Sequence, residues 1–215
     1  MVFDIRLKQN FKLFLSGPSG CGKTTLIANI IENLNEIAQH PPESIVYFFK
    51  EYQPKFDWLK KNYAVIFLED NERMIEQLRE LKSTALVIFD DMINSDNLKL
   101  IAQLFTVHGR HLRLSLAFLS QRLFSNNEFF RQISQNADYL AIFKNPRNAM
   151  DIRILGNQMT PKSNDLVQMY QKATEKPYSY IFINLTQEAV PQLKFLSNIF
   201  TCNHAIPIYV LTDCK

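Results

Sequence analysis

The chain has 215 residues, 47% hydrophobic and 21% charged, which supports one domain with a sizeable core and leaves little room for a second catalytic one. Lys and Arg number 24 against 21 Asp and Glu, and the formal charge of +3 is too mild to mark a nucleic-acid or membrane partner through bulk charge. Three cysteines, Cys21, Cys202 and Cys214, exclude a disulfide framework, Met1 leads into no apolar leader, and no apolar run approaches the roughly 20 residues of a membrane span; the expectation is an intracellular protein in a reducing setting with no membrane segment of its own.

In chain order, the first predicted element is a short buried strand at Phe11-Lys12-Leu13-Phe14-Leu15. It runs into Gly17-Pro18-Ser19-Gly20-Cys21-Gly22-Lys23-Thr24, which satisfies G-x-x-x-x-G-K-[ST] in full and holds three of the five glycines of the chain. After it, Leu26, Ile27, Ile30, Ile31, Leu34, Ile37 and Ala38 recur at helical spacing until Pro41-Pro42 ends the pattern. Strand, glycine loop and helix form the order that a nucleoside triphosphate site requires. The glycines let successive backbone N–H groups and the helix N-terminus face phosphate, Lys23 reaches the β and γ phosphates, and Thr24 offers a hydroxyl to Mg²⁺. Gly17 through Thr25 are thus the expected nucleotide contacts, with ATP and Mg²⁺ as cofactors. Cys21, beside a lysine and a helix N-terminus, has two of the features that lower a thiol pKa, or it simply occupies a free position of the loop.

Further strands are predicted at Ser44–Phe49, Ala64–Leu68, Ala85–Phe89, Leu114–Leu119, Tyr139–Phe143 and Tyr178–Leu185. Most are continuously apolar, as parallel strands covered on both faces are, and helical patterns separate them: Met74, Ile75, Leu78 and Leu81 on one, and Leu98, Ile101, Ala102, Leu104 and Phe105 on another. The fold class is therefore α/β, a single P-loop NTPase domain over residues 1–215 with its core at about 11–200 and no linker or repeat inside it.

The strand Leu86-Val87-Ile88-Phe89 ends in Asp90-Asp91, the Walker B pattern. Asp90 is placed to hold Mg²⁺ through water, and Asp91, a second acid, to polarise the attacking water. Asp here is one methylene shorter than the glutamate most such motors use. The next strand ends in Gln121, whose amide can bond the γ-phosphate or its water. Before that strand stands His108-Gly109-Arg110-His111-Leu112-Arg113, where Arg110 is the candidate for a finger that stabilises transition-state charge in a neighbouring subunit's site, or a cation favoured by a helix end. Neither His108 with His111 nor Cys202 and His204 with Cys214 makes a convincing metal pattern. Between 108 and 153 the cations Arg110, Arg113, Arg122, Arg131, Lys144, Arg147 and Arg153 face only Glu128, Asp138 and Asp151, a local excess of four that suits phosphate contact or sensing between subunits.

The loop string resembles ABC-transporter ATPases and guanylate kinase as well. No Gly-Gly pair exists for the Leu-Ser-Gly-Gly-Gln signature of the former, and Asp91 and Gln121 have no use in a small-molecule kinase. Taken in order, Gly17–Thr24, Leu86–Met92, the run His108–Gln121, and Asn136-Ala137-Asp138-Tyr139 through Phe143-Lys144-Asn145-Pro146-Arg147 resemble the genome-packaging ATPases of double-jelly-roll DNA viruses and Polinton/Maverick elements, a branch of the FtsK/HerA superfamily that includes the poxvirus packaging ATPase. Tyr47 through Phe56 and Tyr178 through Leu185 fit the same pattern. The resemblance implies a RecA-like, mostly parallel sheet with an added edge strand and a homo-oligomeric ring, hexamer or pentamer, around double-stranded DNA. It implies Asp90 and Asp91 as the Walker B pair, Gln121 as sensor, Arg110 as trans finger with Arg113 and Arg147 as alternatives, and capsid or portal/vertex proteins as partners. The resemblance sets the protein in host cytoplasm or nucleus, or on the virion. It leaves no room for the nuclease domain of tailed-phage terminases. A nucleotide or nucleoside kinase, and an ATP-binding assembly factor without turnover, stand as alternatives to the packaging motor.

Overall fold

The structure, a computed structural model, describes residues 4–71, 73–81, 84–147, 149–159, 163–200 and 208–209. Its first strand, β1 (Lys12–Ser16), is followed by helix α1 (Lys23–Glu32) and a short turn of helix, α2 (Leu34–Ile37). The apolar periodicity predicts one helix through Ala38; the break falls at Asn33, whose amide and backbone N–H both donate to the Asn29 carbonyl and close the helix there. Then come β2 (Ser44–Phe49), α3 (Lys55–Asn62), β3 (Val65–Glu69), α4 (Met74–Arg79) and β4 (Ala85–Asp90). Helix α5 (Leu98–Gln103) continues through a π-helical turn (Leu104–His108) into α6 (Gly109–His111) and β5 (Leu114–Ser120). The remainder is α7 (Glu128–Gln135), β6 (Tyr139–Phe143), α8 (Ala149–Met159), α9 (Ser163–Ala173), β7 (Tyr180–Asn184), β8 (Phe195–Leu196) and β9 (Ile208–Tyr209).

Among the described residues, nine strands form one sheet in the order β3-β2-β4-β5-β1-β6-β7-β8-β9. The six from β3 to β6 are parallel, and β7, β8 and β9 extend the sheet antiparallel. The mostly parallel α/β class with an added edge is as expected, but that edge consists of three strands. The two-residue β8 and β9 are too short for any alternation in their sequence to show.

Strand residues alternate between two cores, because successive side chains leave a strand on opposite faces. Phe14, Val46, Phe48, Val87, Phe89, Leu116 and Phe118 join one core, covered by α4, α5, α7, α8 and α9. Leu13, Leu15, Tyr47, Phe49, Leu86, Ile88 and Leu119 join the other, covered by α1, α2 and α3. Burial on both faces explains why the strands read as unbroken apolar runs. Two predicted boundaries shift for a backbone reason: Ala64 and Tyr178 take φ of 40° and 63°, outside any strand, so β3 and β7 begin after them.

Phe118 sits at the middle of the first core, fully buried, with ring centroids of Phe14, Phe130 and Phe105 at 5.9, 6.1 and 6.4 Å. Phe118→Ala is expected to lower stability by about 3–5 kcal/mol through lost burial and the cavity left among three rings. Urea unfolding followed by far-UV circular dichroism measures it, and a loss below about 1 kcal/mol would mean that the core closes around the gap.

The parallel strands all end on one edge. The segments after β1, β2, β4, β5 and β6 therefore converge there, in the crevice where open α/β sheets bind ligands.

Candidate nucleotide site

The loop between β1 and α1 is held to the sheet by the Gly17 N–H, which donates to the Ser120 carbonyl at 3.1 Å. A Cβ on Gly17 would lie 2.7 Å from both Phe143 Cβ and Cys21 Sγ, so the close approach of β6 to the loop requires glycine. Gly22 takes φ of 108°, a conformation that a side chain would strain, and turns the chain directly into α1. No carboxylate occupies the first turn of α1, so its free N–H groups and dipole are left for an anion. Lys23 Nζ donates to the carbonyls of Gly17 and Pro18 at 2.7 and 3.0 Å, which holds the ammonium within the curl of the loop. Burial pushes the Cys21 thiol up and outweighs the nearby charge of Lys23. The lowered thiol pKa that its neighbours suggest is therefore corrected, and Cys21 is a packed position of the loop.

Strand β5 lies between the loop strand β1 and the Walker B strand β4, and this order assembles the acids. Asp90 ends β4 and is buried. Burial raises its carboxyl pKa, while a hydrogen bond from Tyr47 and the charge of Lys23 lower it and the neighbouring Asp91 raises it. Asp91, half-buried, takes φ 57° and ψ 37° and its N–H donates to the Leu119 carbonyl. That left-handed turn sends its side chain to Gln121, whose Nε2 donates to Asp91 Oδ2 at 2.9 Å. Gln121, expected beside the γ-phosphate, is thus in direct contact with the second acid.

Together these groups line a cleft of about 660 Å³ whose walls include Ser19, Gly20, Lys23, Thr24, Thr25, Asp90, Asp91 and Gln121. Sequence reasoning did not assign the other wall to the site: Phe49, Lys50, Glu51 and Gln53 at and after the end of β2, Lys55 at the start of α3, and Tyr178. Lys55 Nζ donates to Thr25 Oγ1 at 3.0 Å and ties that wall to the loop. Tyr47 was missed as well: its hydroxyl donates to Asp90 Oδ2 at 2.7 Å. The signal was a tyrosine in an otherwise apolar buried strand, since a buried phenol needs a partner. The oxygen donors Thr24 and Asp90 fit a hard divalent cation, and a cation there would favour the charged form of a carboxyl whose pKa burial raises.

Arg110 is elsewhere. It is exposed on α6, before the N-terminal end of β5, and its charge is felt by Lys12 and Asp138, at the beginning of β1 and just before β6. The seven residues of β5, at about 3.3 Å each, separate it by roughly 20 Å from the edge that carries the cleft. Arg113 lies at the same far end, whereas Arg147 follows β6 on the cleft edge. The cations of the 108–153 segment are therefore divided between opposite ends of the sheet rather than gathered in one patch. Cys202, His204 and Cys214 lie outside the described residues. Among the described residues, no helix is long and apolar enough to cross a membrane.

A phosphate loop and an aspartate pair, separated by one strand and meeting in one cleft, define a P-loop NTPase domain. The chain belongs to the Nephrocystin 3, N-terminal family, whose model matches residues 5–112, half of the chain and the half that holds Lys23, Asp90 and Asp91. No curated protein matches it. Among solved structures, Thermomonospora curvata EccC (ATPases 2 and 3) in complex with a signal sequence peptide is similar at a TM-score of 0.55 and 15% identity, over 86% of this chain and 36% of that one. The cytoplasmic domain of the Thermomonospora curvata Type VII secretion ATPase EccC is similar at 0.52 and 14%, over 84% of this chain and 24% of that one. The chain thus spans about a third or less of the length of these proteins, and the likeness is one of ATPase-domain fold.

Proposed function

We propose that the domain binds ATP with Mg²⁺, hydrolyses it, and uses the energy to move double-stranded DNA as a homo-oligomeric ring that packages a viral or virus-like genome into a capsid. The observation that carries hydrolysis is the Asp91–Gln121 contact in the same cleft as Lys23 and Asp90. In this reading ATP lies with its phosphates on the loop N–H groups and Lys23. Thr24 and Asp90 hold Mg²⁺, which neutralises charge on the phosphates. Asp91 takes a proton from the attacking water, and Gln121 orients that acid and reports its state along β5. The ring rests on the sequence resemblance and is supported by Arg110, which stands at the far end of the sheet from its own cleft; as a finger it would serve a neighbour, worth about 10³–10⁵ in rate where such fingers are known. DNA as cargo rests on the sequence resemblance to packaging ATPases and the local basic excess. Capsid or portal proteins are the partners it entails, inside the host cell or on the virion.

A polypeptide is the competing cargo, because the EccC structure of similar fold holds a signal sequence peptide. Steady-state hydrolysis with Mg²⁺, with and without long duplex DNA, over a protein concentration series that spans assembly, separates these. Turnover is expected to rise cooperatively with protein and several-fold with DNA. Flat turnover that ignores DNA, from a stable monomer, would overturn the translocase reading.

A further inference from the structure

Tyr47 lies in the middle of β2, fully buried, on the face that looks toward α3. Parallel register sets it beside Ile88, two residues short of the strand end, where its phenol reaches along β4 to Asp90 Oδ2 at 2.7 Å. The ring is fixed from the other side by Phe56 and Phe67, with centroids at 4.9 and 5.3 Å. Thr24 lines the same cleft as Asp90. One buried hydroxyl therefore holds the carboxylate that the nucleotide site offers to a divalent cation. A carboxylate with one oxygen held by a rigid phenol cannot rotate freely, so its second oxygen keeps a fixed direction.

We propose that Tyr47 is a positioning residue for the divalent cation: its hydroxyl sets the orientation of Asp90 and ties Mg²⁺ affinity to the aromatic cluster that carries the Lys50–Lys55 wall of the cleft. This rests on the nucleotide-site reading above, but not on hydrolysis or on DNA. A partner of this kind, behind a metal ligand, is worth about 10–100-fold in metal affinity.

The test is equilibrium binding of a fluorescent ATP analogue, titrated with MgCl₂, in the unsubstituted protein and in Tyr47→Phe, with Mn²⁺ binding to the ATP-loaded protein followed by electron paramagnetic resonance. Tyr47→Phe is expected to raise the Mg²⁺ midpoint about ten- to hundredfold and to weaken Mn²⁺ in parallel, while affinity for the analogue in EDTA stays within about twofold. Phe56→Leu disturbs the same packing but keeps the hydroxyl, and is expected to move the midpoint less than threefold. In an Asp90→Asn background, Tyr47→Phe is expected to add nothing. Superimposable Mg²⁺ curves for Tyr47→Phe and the unsubstituted protein, or equal shifts for Tyr47→Phe and Phe56→Leu, overturn the proposal. Failure of the unsubstituted protein to bind the analogue at all would instead overturn the nucleotide-site reading on which it rests.

Discussion

Asp91→Asn is expected to lower ATP turnover by about 10²–10⁴-fold while Mg²⁺-dependent ATP affinity stays within about threefold. The substitution is nearly isosteric and keeps the carbonyl oxygen that accepts from Gln121 Nε2 at 2.9 Å. Asparagine tolerates the left-handed conformation that Asp91 occupies, at φ 57°, so the turn into Met92 is kept. What is lost is the proton acceptor. Alanine would be a poorer choice, because it strains the same turn and leaves the Gln121 amide without its partner, so that chemistry and structure change together. Single-turnover hydrolysis with preloaded ATP measures the step directly. A loss under about tenfold would assign the base to another group of the cleft, and Glu51 on the opposite wall is the carboxylate in reach of that space.

Lys23→Ala acts earlier in the cycle. An ammonium placed among the loop N–H groups makes charge-assisted bonds to phosphate oxygens worth about 1.5–3 kcal/mol each, so two such bonds correspond to at least about a hundredfold in ATP affinity. Calorimetric titration is expected to show binding falling beyond measurement and turnover falling with it. The fold is expected to survive, since what Lys23 contributes in this structure is two bonds to the carbonyls of Gly17 and Pro18, groups that water can satisfy in the variant. Unfolding midpoints of the two proteins without nucleotide should therefore agree within a few degrees, whereas only the unsubstituted protein should be stabilised by added Mg²⁺ and ATP. Retained ATP affinity in Lys23→Ala would remove the loop from the phosphate site. The two variants thus fail differently: Asp91→Asn keeps the ligand and loses the reaction, and Lys23→Ala loses both.

Much of the site was legible because its parts are contiguous. Gly17 to Thr25 is one unbroken string between a strand and a helix, and Asp90-Asp91 ends an apolar run, so pattern and context agreed before any tertiary contact was known. Gln121 was legible as a polar strand end, but its partner was not: the contact with Asp91 arises because β5 lies beside β4 and both end at the same level. The second wall of the cleft lies in the Tyr47–Phe56 run that fits the packaging-ATPase pattern, but nothing in that run marks it as part of the site. Glu51, Gln53 and Lys55 look like an ordinary solvated turn, and only the pairing of β2 with β4 brings them opposite the loop.

The basic excess between 108 and 153 shows the same limit from the other side. Residues near in sequence gave a real charge count, yet β5 carries the chain across the full height of the sheet between Arg113 and Arg122, and the cations part. Burial likewise decided between the two readings of Cys21 in favour of a packed loop position, since the lysine beside it was visible in the sequence and the surrounding protein that excludes water was not.

By itself, then, the sequence determined the α/β class, the strands of the parallel core, the phosphate loop and the acid pair, because each depends on local pattern: hydrophobic period, glycine conformation and a polar strand end. Tertiary structure alone decided the strand order, the three-strand antiparallel edge, the Tyr47–Asp90 and Gln121–Asp91 contacts, and the separation of Arg110 from its own cleft. These depend on which strands pair and in what register, and pairing is set by the summed burial of two cores, to which no single segment holds the key.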